Sequence, residues 1–183
     1  MEPIRVNVQS TPNPNALKFI VNRTVKTQGK ATYKSAEDCH TNPLARLLFS
    51  IPHVVELHFF ENVITVSQDG EGDWDALEEK IRIIINENVA NHNPDFEIAE
   101  TPKKVTPASM ELAQIEAILD RTVRPALQGD GGDLQVISLD GDILTVNYQG
   151  ACGSCPSSTM GTLKAIEGIL RQEFSPNLTV QTA

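Results

Sequence analysis

The chain has 183 residues, of which 40% are hydrophobic and 21% are charged, which is ordinary for a globular protein of one large or two small domains. Its formal net charge of −9 argues against nucleic acid as a partner, because phosphate binding needs clustered Lys and Arg. No apolar run approaches the ~20 residues of a membrane span, and the N-terminus has no signal-peptide pattern. Three cysteines make no disulfide framework, so we expect a cytoplasmic protein without a membrane partner.

The first half of the sequence predicts a small α+β domain over residues 1–99. Period-two alternation and short apolar runs predict its strands at 4–9, 16–21, 54–60, 63–67 and 96–98. Helical spacing of apolar residues predicts a short helix opening at Asn42-Pro43 and a longer one over 74–91. Residues 24–40 have no clear pattern, and Cys39 within them is interpreted as a small residue in a loop.

Residues 100–108 have the composition of a linker, with two prolines, two lysines and few large apolar groups. We therefore predict a second α+β domain over 109–183, and each domain is expected to be a short, mostly antiparallel sheet packed with helices. The segment from Gly129 to Asp133 is predicted to be a loop, because its three glycines favour neither helix nor strand. The remaining elements are a helix at about 109–124, a hairpin of 134–139 and 143–148 turning at Asp140-Gly141, a helix after Pro156, and a strand at 178–181.

A C-x-x-C pair, Cys152 and Cys155, stands between the hairpin and the last helix. The intervening glycine and serine allow a tight turn that brings the two sulfurs together, and Pro156 suits the first helical position. A helix N-terminus favours thiolate over thiol, and thiolates bind soft metals or attack disulfides. We expect the pair to be exposed between glycines, where it contributes little to core packing.

The number of available ligands distinguishes these uses. Zinc and iron–sulfur clusters usually take four protein ligands, whereas this chain offers two at the motif. No Cys or His follows Cys155, and no His lies between Pro94 and Cys152. A metal centre here would be completed most simply by a second copy of the chain, giving a homodimer with four thiolates.

Three kinds of site remain open at this point: an iron–sulfur site, a thiol–disulfide oxidoreductase site and a zinc site bridging a dimer. The oxidoreductase alternative uses the same strand, C-x-x-C and helix arrangement. It is disfavoured because a hairpin precedes the motif and one short strand follows it. Zinc accepts the same four thiolates, and the sequence does not separate it from iron.

The motifs of both halves resemble those of a known family. The second half contains Asp130-Gly131-Gly132-Asp133, then a hairpin, and then Gly150-Ala151-Cys152-Gly153-Ser154-Cys155-Pro156-Ser157-Ser158 leading into a helix. This combination resembles the C-terminal domain of NifU, found in the Nfu family. The first half looks like the Nfu N-terminal domain, with Thr11-Pro12-Asn13-Pro14-Asn15-Ala16-Leu17-Lys18-Phe19 as its characteristic stretch.

The resemblance implies an iron–sulfur cluster scaffold or carrier rather than an enzyme. It implies that Cys152 and Cys155 of two subunits hold one [4Fe–4S] cluster between them. It further implies an upstream donor or scaffold that supplies the cluster, and apo iron–sulfur proteins that receive it.

Overall fold

A computed structural model describes residues 3–97, 107–153 and 158–183 of the chain, which divides into two compact units, Met1–Ala99 and Glu100–Ala183. Each unit packs helices against one β-sheet, so the predicted α+β class with two small domains is confirmed. Within the described ranges, no helix combines the length and the apolar character that crossing a bilayer requires.

The first unit contains a five-stranded antiparallel sheet in the order β1-β2-β5-β4-β3. Its strands are β1 Val6–Ser10, β2 Ala16–Val21, β3 Lys30–Tyr33, β4 Val54–Phe60 and β5 Val63–Gln68, and its helices are α1 Pro43–Phe49 and α2 Trp74–Asn88. Phe19, Ile64 and Phe59 occupy paired positions on three adjacent strands, and all three are fully buried. Alternation along each strand therefore gives the sheet one apolar face, against which the helices pack.

Both predicted helices of this unit are confirmed, with the caps that the sequence suggests. Asn42 Oδ1 accepts a hydrogen bond of 3.1 Å from the Ala45 backbone N–H, and the Asp73 carboxylate accepts one from Asp75 N–H. Ile81 and Ile85 of α2 are fully buried, as their helical spacing indicates. The regular helix ends at Asn88, and a 3₁₀ turn over Val89–Asn91 completes the predicted span.

In the first unit, one strand lies in the stretch that the sequence left unassigned, and one predicted strand is not found among the described residues. The unassigned stretch contains β3, a four-residue edge strand too short to show a clear period in the sequence. Conversely, Phe96 and Glu97 are not in a strand, while Ile98 lies outside the described residues. Side chains instead of a neighbouring strand bind their carbonyls: Lys26 Nζ donates to Phe96 O at 2.9 Å, and Thr41 Oγ1 to Glu97 O at 2.8 Å.

The second unit contains a three-stranded sheet in the order β6-β7-β8. Its helices are α3 Pro107–Thr122, α4 Arg124–Gly129 and α5 Ser158–Glu173, and its strands are β6 Gly132–Asp140, β7 Ile143–Gly150 and β8 Thr179–Thr182. The β6–β7 hairpin is antiparallel and β8 pairs with β7 in parallel, with α5 lying between them in the chain. Ile115 and Leu119 of α3 and Ile166 and Leu170 of α5 are buried in the core beside this sheet.

The boundaries in this unit differ from the expectations at several points. The predicted loop from Gly129 to Asp133 is reduced to a short turn, because α4 ends at Gly129 and β6 begins at Gly132. The α4 helix was not expected, and it follows α3 after a break at Val123. The hairpin turns at Gly141-Asp142, one residue later than predicted, since Asp140 still pairs with Ile143. Helix α3 starts at Pro107, inside the last residues assigned to the linker.

Candidate metal centre

The strand β7 ends in a tight turn that carries the first cysteine of the pair. Gly150 has a φ of 62°, a left-handed conformation that favours glycine, and its carbonyl accepts a hydrogen bond of 2.9 Å from Gly153 N–H. Ala151 N–H donates to Gly131 O at 3.1 Å, which ties this turn to the connection between α4 and β6. Cys152 is therefore held between the end of β7 and the start of β6.

Gly132 lies directly against Cys152. A Cβ atom added to Gly132 would lie 2.4 Å from Cys152 Sγ and 2.8 Å from both Cys152 N and Gln149 O. Real Cβ atoms do not approach other heavy atoms so closely, so the sulfur occupies the space that any other residue at position 132 would fill. The second glycine of the Asp-Gly-Gly-Asp motif thus makes room for the sulfur of the C-x-x-C motif.

Cys152 is 7% exposed and belongs to the hydrophobic core of the second unit. The expectation that both cysteines are exposed and poorly placed for core packing is therefore wrong for Cys152. The reason is the missing side chain at Gly132, which a single sequence does not connect with a cysteine twenty residues away. Cys155 lies outside the described residues, so the convergence of the two sulfurs stays a prediction.

Tyr148 shares the sheet face on which the Cys152 sulfur lies. It pairs with Leu134, and Gly150 pairs with Gly132, so these positions alternate onto one side of the hairpin. Tyr148 is 6% exposed. Burial and then the nearby charge of Cys152 raise the pKa of Tyr148 to about 12. Among the residues that the structure describes, the buried Tyr148 hydroxyl has no hydrogen-bond partner.

A charged cluster around Arg124 holds the neighbouring elements together. The Arg124 guanidinium donates to Glu116 and Asp120 of α3, and its Nε lies 3.3 Å from Asp133 Oδ1 at the start of β6. Asp133 is 1% exposed, and its other oxygen accepts a hydrogen bond of 3.2 Å from Gln128 Nε2. Burial lowers the pKa of Arg124, but the hydrogen bonds with Asp120 and Glu116 outweigh it and the net shift is upward.

Neither this charged cluster nor Tyr148 was singled out from the sequence. Asp120 and Arg124 stand four residues apart, a spacing that signals a helical ion pair, although the two residues belong to consecutive helices. The buried Asp133 has no comparable signal, because its partner depends on how α4 turns back onto β6. The link from Tyr148 to Cys152 likewise follows from the pairing register of the hairpin.

Cys39 is the third cysteine and lies in the core of the first unit. It follows a 3₁₀ turn over Ala36–Asp38, outside any strand or helix, as expected. Its Sγ donates to Ser35 O at 3.3 Å, and burial raises the pKa of the thiol to about 11. In the described part of the chain, no three or more His, Cys, Asp or Glu residues form a group that could hold a metal ion.

Two family models match this chain. The model described as "Scaffold protein Nfu/NifU N terminal" matches residues 6–92, and the model described as "NifU-like domain" matches residues 115–181. Among solved structures, a NifU-like protein from Saccharomyces cerevisiae has a TM-score of 0.47 and 24% identity, covering 54% of this chain and 87% of its own. A Staphylococcus aureus protein has a TM-score of 0.41 and 17% identity, covering 46% of this chain and 99% of its own.

Curated relatives match both halves. "NFU1 iron-sulfur cluster scaffold homolog, mitochondrial" from Drosophila grimshawi is 31% identical over 176 residues, which are 91% of this chain and 57% of the relative. "NifU-like protein 5, mitochondrial" from Arabidopsis thaliana is 31% identical over 177 residues, 93% of this chain and 64% of the relative. The chain thus spans 57% and 64% of the length of these two relatives. With an Nfu N-terminal domain followed by a NifU-like domain, the chain belongs to the Nfu family.

Proposed function

We propose that this protein is an iron–sulfur cluster scaffold or carrier and not an enzyme. Its cargo is one [4Fe–4S] cluster held between two subunits by Cys152 and Cys155 of each, supplied by an upstream donor and delivered to apo iron–sulfur proteins. The observation that supports this proposal is the position of Cys152, whose thiol is held by a tight turn against Gly132 in a chain of this family.

The two cysteines of each chain are suitable ligands for an iron–sulfur cluster. Thiolates are the usual ligands of iron–sulfur clusters, and two per chain become four in a two-fold dimer. Cys152 precedes α5, which begins at Ser158, so the positive end of a helix dipole in each subunit helps to offset the negative charge of cluster and thiolates.

The burial of Cys152 fits a protein that releases its cargo. In the single chain this sulfur packs among the buried apolar residues of the second unit. Structural metal sites behave differently, because their domains unfold when the metal is removed. A subunit-bridging cluster also loses half its ligands when the subunits separate, which gives a route to transfer.

We further propose a reducing compartment, because the ligands must be thiols before they bind iron. The cytoplasm is the compartment expected from the sequence, whereas the relatives quoted above are mitochondrial by name. Fluorescence microscopy of the tagged protein in its source cells would distinguish the two.

Anaerobic reconstitution with iron and sulfide tests the proposed function. We expect about two irons per chain on a brown dimer, since four irons are shared by two subunits. Cys152→Ala and Cys155→Ala should each abolish the colour. Cys39→Ala is the matched control and should load like the wild type, because Cys39 lies in the core of the first unit. Visible absorbance, iron content and oligomeric state are read on the same samples.

Other outcomes separate the alternatives. A colourless monomer with both thiols free would exclude the carrier. Catalytic reduction of a disulfide substrate by that monomer would establish the oxidoreductase instead. A colourless dimer that holds one zinc through the same cysteines would identify a zinc site. A loaded dimer should then transfer its cluster to an apo-acceptor, measured by the acceptor's own activity.

A further inference from the structure

The hydroxyl of Tyr148 is a buried hydrogen-bond donor. The residue is 6% exposed, and no described residue accepts a hydrogen bond from its hydroxyl. Leaving a buried polar group unsatisfied costs free energy that a phenylalanine at the same position would avoid. The hydroxyl of Tyr33 is buried in the same way, and that of Tyr148 can take an acceptor that becomes available beside it.

The position of Tyr148 indicates that this acceptor is the Cys152 sulfur. Tyr148 pairs with Leu134 across the hairpin. This pair lies two positions from the Gly132–Gly150 pair, so both pairs face the same side of the sheet. The Cys152 sulfur fills the space above Gly132 on that face. In antiparallel sheets such diagonal neighbours lie within reach of an aromatic side chain. Tyr148 and Cys152 belong to the same core cluster of the second unit, and Cys152 is near enough for its charge to help raise the pKa of Tyr148.

We propose that Tyr148 donates a hydrogen bond to the Cys152 thiolate, or to a cluster sulfide beside it, when the cargo cluster is bound. This inference rests on the proposed function and concerns how firmly, and at what potential, this chain holds the cluster. In the apo chain the sulfur is packed in the core and the Tyr148 hydroxyl has no partner among the described residues, whereas in the loaded chain a thiolate gives this hydroxyl an acceptor.

The chemistry favours such a bond. A tyrosine hydroxyl keeps its proton at neutral pH, and hydrogen bonds to an ionised acceptor are roughly twice as strong as neutral ones. Hydrogen bonds to the sulfurs of an iron–sulfur cluster also shift its reduction potential. They stabilise the reduced, more negative form more than the oxidised form, so the donor raises the potential.

Tyr148→Phe tests this inference, because it removes the hydroxyl and keeps the ring. We expect the variant to fold and load iron like the wild type, but to lose iron to a chelator about fivefold faster, the size of one hydrogen bond. Its cluster should also have a more negative midpoint potential. The potential is the decisive measurement, because a tyrosine that only supports the fold would leave it unchanged.

The chain offers a matched control in Tyr33→Phe, since it has two tyrosines and Tyr33 is 1% exposed in the core of the first unit. That variant should match the wild type in chelation rate and potential. Equal rates and potentials for the wild type and Tyr148→Phe, both loaded, would overturn this inference alone. A wild type that binds neither cluster nor cobalt(II) through Cys152 would overturn the proposed function, and this inference with it.

Discussion

Gly132 determines where the Cys152 sulfur can lie. Two of the three atoms that its added Cβ would meet belong to the backbone, at Cys152 N and Gln149 O, so a side-chain rotation cannot relieve the clash. Only a shift of the turn at the end of β7 can make room. The identity of residue 132 is therefore coupled to the position of a proposed ligand, although the two residues are far apart in sequence.

We predict that Gly132→Ala destabilises the protein and impairs cluster loading together. Overpacking of this kind costs about 1–3 kcal/mol, and the displaced sulfur should lower the iron bound per chain. Urea unfolding of the apo protein and iron analysis after reconstitution measure the two effects.

Gly168→Ala is the control for this substitution. Gly168 is an exposed residue inside α5, and an added Cβ there has no heavy atom within 4 Å. The change should leave iron loading intact and stabilise the helix by about 0.5–1 kcal/mol. Normal loading and stability of Gly132→Ala would refute the assigned role of Gly132.

At the scale of elements, Arg124 joins α3, α4 and β6. It binds two carboxylates of α3 and the buried Asp133, and its Nη2 reaches Leu134 O at 3.4 Å. Asp133 directly follows Gly132, so the guanidinium anchors the strand end on which the sulfur rests. The charged cluster thus supports the proposed site indirectly, through the position of β6.

We predict that Arg124→Gln destabilises the second unit by about 3 kcal/mol, because it leaves the buried Asp133 carboxylate without its cation. Adding Asp133→Asn should recover part of this loss, since the uncompensated charge is then removed. Arg82→Gln is the control: Arg82 pairs with Glu78 on the exposed face of α2, and losing that pair should cost about 0.3–0.5 kcal/mol. Equal effects of Arg124→Gln and Arg82→Gln in urea unfolding would argue against a structural role for the cluster.

Sequence periodicity predicted the helices and strands whose apolar residues follow a regular spacing. Helix α2 and strands β2 and β4 were predicted within a few residues, because their apolar spacing is regular and their caps are local. The elements that were missed depend on contacts with distant residues. Helix α4 is six residues long, and Gly132 and Asp133 are extended because they pair with Gly150 and Gln149. Propensity alone assigned Gly132 and Asp133 to a loop.

The sequence predicted the motif of the candidate site but not its surroundings. The C-x-x-C motif indicated Cys152 as a candidate ligand, because thiol chemistry is visible in the residue type. Its burial, its contact with Gly132 and its neighbour Tyr148 depend on the pairing register of the hairpin and on a turn with a left-handed glycine. A single sequence indicates where a strand lies far more clearly than it indicates which other strands pair with it.

At the scale of the whole molecule, each unit has a hydrophobic core of its own. The core of the first unit is built on Phe19, Ile64 and Ile81, and that of the second on Leu134, Leu144 and Ile166. The proposed ligands belong to the second unit alone. We propose the domains 1–99, an Nfu N-terminal-like domain, and 109–183, the cluster-binding domain, joined by the linker 100–108.

We predict that cluster binding stabilises the second unit selectively. A ligand that binds only the folded state raises stability by about 2.7 kcal/mol at a hundredfold excess over its Kd, and that gain goes to the unit that holds the ligand. Hydrogen exchange of the intact protein, apo and loaded under anaerobic conditions, measures each unit separately. Slowly exchanging amides of β6, β7 and α5 should gain protection on loading, whereas those of β2, β5 and α2 should not.

Cys152→Ala, treated with iron and sulfide in the same way, should show no gain in either unit. Equal gains in both units would contradict the assignment of cluster binding to the second unit, since its ligands would then stabilise the chain as a single body. Gains confined to β6, β7 and α5 would make the second unit the carrier of the cluster and leave the first unit free for another task.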